Sequence, residues 1–271
     1  MSATPASGSA ILEEALAILR ERRNVDFAAY RRPTIERRFA NRIICSATTE
    51  EAYLRHLRED DREVDDLLAH LTIKVSRFYR NGAVFDSLRG QIIPRLRAAF
   101  GDGPLRAWSA GCARGEEAYT LAMLFEQPGD AIFATDIDER ALAGARAGIY
   151  PASAFTDAPT ALVNEFTNPT DDGDRRSVSD ALRGRVQFSR HDVAAELSPA
   201  GAPYHLVSCR NVLMYFARPL QARLMRQLAE RVMPGGFLVL GEAEWPTPDA
   251  RLEAVDRRQR IFRRIDEEVA R

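Results

Sequence analysis

At Gly101-Asp102-Gly103-Pro104 the chain changes texture, and that change limits the folds open to it. Downstream, short apolar runs at 105–109, 131–135, 186–189, 205–209 and 237–240 alternate with amphipathic segments at 117–125, 139–147 and 221–232. Strands that alternate with helices pair in parallel, because a parallel neighbour is reached only by a crossover long enough to hold a helix. The expected architecture is α/β, an open doubly wound sheet. From 151 to 184 the rhythm stops in a stretch rich in Pro, Asp, Asn, Thr and Gly. A long insertion of this kind in a compact domain points to a functional loop.

Upstream, residues 11–72 read as helices. Ile11, Leu12, Ala15, Leu16 and Leu19 recur at helical spacing, as do Tyr53, Leu54, Leu57, Leu67, Leu68 and Leu71. Thr48 or Thr49, followed by Glu50 and Glu51, marks a helix start. The expected division is a helical N-terminal domain at 1–75, a linker and bridging helix at 76–100, and an α/β domain at 101–271 that carries the insertion 151–184.

At 271 residues and 45% hydrophobic the chain can bury a sizeable core, and a formal net charge of −1 supplies no global excess to attract nucleic acid or a membrane surface. Three cysteines, Cys45, Cys112 and Cys209, lie far apart with no CxxC pair and no histidine spacing suited to zinc, so no metal is expected. The odd count fits a reducing cytosol with thiols acting as small buried hydrophobes. Residues 1–10 lack the basic and apolar regions of a secretion signal, and no run approaches ~18 apolar residues, so a soluble cytoplasmic protein is expected.

The first strand runs into Ser109-Ala110-Gly111-Cys112-Ala113-Arg114-Gly115-Glu116-Glu117. A glycine-bearing turn between strand and helix lets backbone approach a ligand closely, but this turn is not GxGxxG and it carries acids. Carboxylates would repel a pyrophosphate and suit a ligand with a cationic amine and a sulfonium, which separates S-adenosylmethionine (SAM) from NAD. A glutamate at a helix N-terminus is equally favoured by the helix dipole, so both readings stand at this point. The second strand ends in Asp136-Ile137-Asp138, where an acid accepts from ribose hydroxyls; Asp136 is the candidate and Asp138 the cap of the next helix. In His191-Asp192-Val193, Asp192 is placed to accept from an adenine amino group, while His191 reads first as structural. Arg210 and Asn211 follow a strand at the carboxyl edge of the sheet, where ligands of such folds bind, and are candidate polar ligands to a cofactor or to neighbouring loops. Met233-Pro234-Gly235-Gly236-Phe237 reads as a helix stop and a tight turn into another strand.

Taken in order, the segments 108–123, 134–142, 148–151, 209–216 and 234–244 resemble the chemotaxis-receptor glutamate O-methyltransferases, the CheR type. The helical half is similar too, in RRPTIERRFANR (31–42), EAYLRHL (51–57) and LTIKVSRFYRN (71–81). The resemblance implies a Rossmann-like SAM-dependent methyltransferase sheet with a small all-α N-terminal domain and a small inserted β-subdomain. It implies methyl transfer from SAM to glutamate side chains of methyl-accepting receptors, giving methyl esters and S-adenosylhomocysteine. By the same likeness Ser76, Arg80, Gly111, Glu116, Asp136, Asp192, Val193, Arg210 and Asn211 would line the cofactor pocket. Arg80 and Tyr215 would face the transferred methyl and the acceptor carboxylate, a nucleophile that needs no strong base at neutral pH.

Two departures stand out. Lys74, the only lysine in the chain, replaces a small polar residue of the family's segment and would crowd the cofactor's cationic end; Tyr79 replaces a usual phenylalanine. The stretch Arg31, Arg32, Arg37, Arg38 and Arg42 reads either as a solvated helix face or, by the resemblance, as the face that meets the receptor's acidic helices. The alternatives are a methyltransferase for another acceptor and, from Lys74, a cofactor-binding signalling protein with little catalysis.

Overall fold

The computed structural model describes residues 6–46, 48–72, 74, 76–194, 203–246 and 249–265. The first five residues of the start, and Ile73 and Val75 of the segment 71–81, lie outside the described set. The chain forms two compact units: residues 1–74 with Tyr215–Ala217, and residues 75–214 with 218–271.

The first unit contains α1 (Ala6–Arg23), α2 (Arg32–Cys45), α3 (Glu50–Glu59) and α4 (Asp61–Leu71). Three of the starts have a local cause: Pro33 opens α2, Thr49 accepts from Ala52 N at 3.3 Å to cap α3, and Asp60 accepts from Arg62 N at 2.8 Å to cap α4. The periodic residues Leu12, Ala15, Leu19, Tyr53, Leu57, Leu67 and Leu71 are buried together with Ile35 and Phe39. Inside this core Glu63 is buried as well, receiving the Tyr53 hydroxyl at 2.6 Å and the Arg42 guanidinium at 2.6 and 2.9 Å. A buried carboxylate is tolerable when its lone pairs are filled in this way. The segment Tyr215–Ala217 is stitched to the α1–α2 loop. Arg31 N donates to Tyr215 O at 2.8 Å, Ala217 N donates to Ala29 O at 2.9 Å, and the Tyr30 ring meets Phe216 edge-on at 4.7 Å.

The second unit runs α5 (Ala83–Ser87), a π-helical turn (Leu88–Ile92), α6 (Ile93–Phe100), β1 (Arg106–Ala110), α7 (Glu116–Leu124), β2 (Ala131–Asp136) and α8 (Glu139–Ala147). The inserted segment follows with β3 (Ile149–Pro151), α9 (Thr160–Phe166), β4 (Thr167–Pro169), β5 (Arg175–Val178) and α10 (Asp180–Arg183). The unit closes with β6 (Val186–Arg190), β7 (Tyr204–Cys209), α11 (Arg218–Arg231), β8 (Val232–Leu240), β9 (Leu252–Asp256) and β10 (Ile261–Arg264). Residues 76–100, expected as a linker and bridging helix, belong to this unit, with Phe78, Val84, Phe85, Leu88, Ile92 and Leu96 in its core.

The main sheet has the order β6-β2-β1-β7-β8-β10-β9. The first four pairings are parallel, as the sequence rhythm demands, while β10 lies antiparallel to β8 and β9. The sheet is therefore mixed, because the β9–β10 pair is a hairpin and needs no crossover helix. The strand order reverses between β1 and β7, which opens a crevice at their carboxyl ends. Met233–Gly236 differ from the expected turn: they form a bulge inside β8, between the pairs Tyr204–Val232 and Leu206–Phe237. A Cβ on Gly236 would stand 2.6 Å from His205 O, so only glycine fits there. The insertion folds as a separate antiparallel sheet, β3-β5-β4, in agreement with the β-subdomain that the resemblance implies.

Candidate functional site

Three loops of the second unit meet at the crevice. The loop after β1 is closed by Gly111 N and Cys112 N, which donate to Thr135 O at 2.8 and 2.9 Å. Gly111 has φ +77, and a Cβ there would collide with the Val212 side chain at 2.5 Å, so this glycine lets the β1 and β7 loops pack against each other. Asp136, at the end of β2, accepts from Ala113 N at 2.8 Å through one oxygen and from Asp138 N at 3.0 Å through the other. Its carboxylate is thus held in one orientation by the loop after β1. Asp138 caps α8 as expected, accepting from Arg140 N and Ala141 N.

Glu116 opens α7 and is only 4% exposed. Burial raises its pKa, opposed by its own backbone N–H, Arg114 and the Ser76 hydroxyl. Among the described residues its Oε2 has no hydrogen-bond partner. An unmatched buried carboxylate oxygen costs free energy until a donor arrives, and the cationic amine of SAM is such a donor. The acids Glu116 and Asp136, with the close-packed glycine turn, are an acceptor set that fits SAM and would repel a pyrophosphate.

Arg80 lies between two residues in the left-handed region, Tyr79 at φ 61 and Asn81 at φ 60. The strain is held by Tyr79 N donating to Thr120 Oγ1 at 3.1 Å, by the Tyr79 hydroxyl donating to Asp86 at 3.0 Å, and by Asn81 Nδ2 donating to Glu242 at 3.1 Å. Burial and Asp86 push the Tyr79 phenol up to about 12. Arg210, a candidate ligand from sequence, donates to Arg80 O at 2.9 Å, pairs with Glu117 at 3.3 Å and covers the Phe85 ring at 5.0 Å, while among the described residues its buried Nε has no hydrogen-bond partner. Asn211 takes φ 60, with its N–H donated to Glu244 Oε2 at 2.9 Å. Asp192 accepts from Ala194 N at 2.8 Å beside the half-buried Val193. His191 N donates to Asp136 O and its ring meets Trp108 edge-on, which favours the structural reading.

Sequence reasoning did not single out Glu117 or Glu244. Glu117 accepts from Ser109 at 2.7 Å as well as from Arg210. Glu244 is buried, with its pKa raised by burial against the N–H groups of Gly241, Asn211, Met214 and Leu213. The one available signal was the acid in a glycine-started turn after an apolar strand.

Ser76, Arg80, Gly111, Glu116, Asp136, Asp192, Val193, Arg210 and Asn211 all fall in the second unit, whereas Tyr215 and Lys74 are grouped with the helical unit. The arginine stretch there is largely engaged: Arg32 with Glu13 and Glu36, Arg38 with His70 O, Arg42 with Glu63 and Asp66, while Arg31 and Arg37 are exposed. Cys112 and Cys209 are buried with thiols pushed well up by burial, but Cys45 is exposed, contrary to the expectation for all three. Among the described residues no cluster of three His, Cys, Asp or Glu could hold a metal, and no helix is long and apolar enough to cross a membrane.

Comparison with known proteins gives two family matches: the CheR methyltransferase all-alpha domain over residues 10–72 and the CheR methyltransferase SAM binding domain over residues 74–259. A 104.1-kDa protein of Rhodobacter capsulatus is 34% identical over 230 residues, covering 81% of this chain and 24% of its own length, so this chain spans about a quarter of that relative. A chemotaxis protein methyltransferase of Listeria monocytogenes is 32% identical over 225 residues, covering 81% of this chain and 84% of its own. One of the same name from Listeria innocua is 31% identical over 228 residues, with coverage of 81% and 84%. With its helical half and its α/β half both matched, the chain belongs to the CheR family of SAM-dependent methyltransferases.

Proposed function

We propose that this protein is a cytoplasmic glutamate O-methyltransferase acting on methyl-accepting chemotaxis-type receptors. The observation that carries the cofactor half of this reading is the buried, unmatched Oε2 of Glu116, which is suited to the amine of SAM. The acceptor half is supported by the relatives named chemotaxis protein methyltransferase, at about 30% identity over most of the chain.

In this reading Glu116 holds the cationic amine with Ser76 behind it, Asp136 accepts from the ribose and Asp192 from the adenine amino group. Gly111 and Val193 contribute backbone and apolar wall, and Arg210 and Asn211 hold the loops that frame the pocket. SAM supplies an electrophilic methyl whose transfer to a carboxylate oxygen breaks the carbon–sulfur bond and leaves the electron pair on sulfur. Arg80 grips the acceptor carboxylate by charge-assisted hydrogen bonds and Tyr215 orients it, so that catalysis is mainly alignment. The helical unit, through Arg31 and Arg37, steers the acidic receptor helices.

Incubation with labelled SAM and receptor cytoplasmic fragments should yield base-labile methyl esters. Base-stable label, or transfer that needs no receptor, would replace this reading with a methyltransferase for another acceptor. Tight SAM binding without turnover on any receptor would replace it with a cofactor-binding signalling protein.

A further inference from the structure

Trp245 is 60% exposed, in a unit whose other tryptophan, Trp108, is 3% exposed. Its indole does not hang loose. The Arg260 guanidinium lies 3.5 Å from the ring centroid, and Arg260 itself holds φ 57 in the turn between β9 and β10. Arg260 O accepts from Leu240 N at 3.1 Å, and its guanidinium donates to Arg257 O, so the turn is pinned to the end of β8. A cation stacked on an indole leaves the opposite ring face open and costs little further ordering when a partner arrives. The next residues of the same turn, Arg257 and Arg258, are exposed cations.

The position of this platform is informative. Trp245 directly follows Glu244, whose carboxylate holds Asn211 N at 2.9 Å and Met214 N at 3.2 Å, and Glu242 receives Asn81 Nδ2 at 3.1 Å. The 241–245 turn thus ties together the two loops that carry Arg80 and Asn211, and Trp245 is its last residue.

We infer that Trp245, held by Arg260 and flanked by Arg257 and Arg258, is a docking platform for an acidic helical segment of the acceptor protein next to the glutamate being modified. This rests on the glutamate-acceptor reading above. Aromatic and arginine anchors carry most of the energy in small interfaces, and clustered cations select an acidic partner.

Trp245→Ala, and separately the double reversal Arg257→Glu/Arg258→Glu, should raise KM for a receptor fragment about tenfold. The dissociation constant for SAM should hold within about twofold and Trp245→Phe should recover part of the loss. A second readout needs no turnover: emission from Trp245 should shift on titration with a glutamate-rich helical peptide and not with its glutamine counterpart. Receptor KM unchanged in both variants, or SAM affinity lost in step with it, would overturn the platform. A shift produced by single-stranded oligonucleotide rather than the acidic peptide would overturn the choice of partner. If no receptor fragment gains esters while the peptide still shifts the emission, the glutamate-methylation reading fails and the platform stands.

Discussion

The guanidinium of Arg210 donates to the main-chain carbonyl of Arg80 at 2.9 Å, from a buried position between Glu117 and the Phe85 ring. Its planar fork also reaches Asn81 Oδ1 at 3.4 Å, and the loop it holds contains two left-handed non-glycine residues on either side of Arg80. Lysine offers a point charge on a flexible stem and cannot reproduce that geometry. Arg210→Lys should therefore slow transfer by about a hundredfold, because a displacement of about 1 Å at the reacting group costs that much. Arg80→Ala should cost several orders of magnitude more while leaving the melting temperature nearly unchanged. Single-turnover rates with thermal denaturation of both variants check the contrast.

Glu116 is held in a state that favours binding over folding. Its pKa lies above the ordinary glutamate value because of burial. Below the unfolded value both states are protonated and no penalty exists; as pH rises the unfolded chain ionises first, and stability is lost through the folded pKa. Glu116→Gln should remove that loss. Without cofactor the variant should match the wild type near pH 4 and exceed it at pH 8 by about 1–3 kcal/mol, while binding SAM more weakly. Equal denaturation midpoints at both pH values would refute the assignment.

Asp136→Asn should weaken SAM binding by roughly 1–3 kcal/mol if the carboxylate holds a ribose hydroxyl. The structure adds a second expectation. Asp136 already accepts from Ala113 N and Asp138 N, and an amide nitrogen facing either donor leaves that N–H unpaired. The variant should therefore also melt earlier, and calorimetry with a thermal scan separates the two effects.

Glu244→Gln should cost about 1.5–3 kcal/mol of stability, since a buried carboxylate holding several backbone N–H groups is replaced by a single acceptor oxygen. Urea denaturation should show a lower midpoint with the slope preserved. An unaltered midpoint would mean that the 211–214 loop is held by other contacts.

Much of this was legible in the sequence because strong periods were present. The apolar runs that form β1, β2, β6, β7 and β8 are bounded by charged helices, and α8 was placed to the residue because Asp138 caps it and Gly148 ends it. The β9–β10 hairpin escaped notice because arginines and acids dilute its alternation: β10 buries Ile261 and Phe262 in succession and then exposes Arg263. The strands of the insertion are three or four residues long, too short to establish a period of two. Long-range partners were invisible for a different reason. An acid such as Glu117 or Glu244 reads locally as helix or turn chemistry, and nothing in a linear pattern shows that Arg210 or Asn211 will arrive beside it.

The helical unit is discontinuous, with Tyr215–Ala217 joined to Ala29, Tyr30 and Arg31 by backbone hydrogen bonds and an aromatic contact. During synthesis the four helices precede residues 75–214, yet Tyr30 gains its Phe216 partner only after those residues have followed. Vectorial folding cannot complete this unit until residues 75–214 of the other have been made. A fragment ended at residue 74 would lack that closing piece, so supplying residues 215–217 in trans, or by a short tether, is the natural way to express the helical half alone.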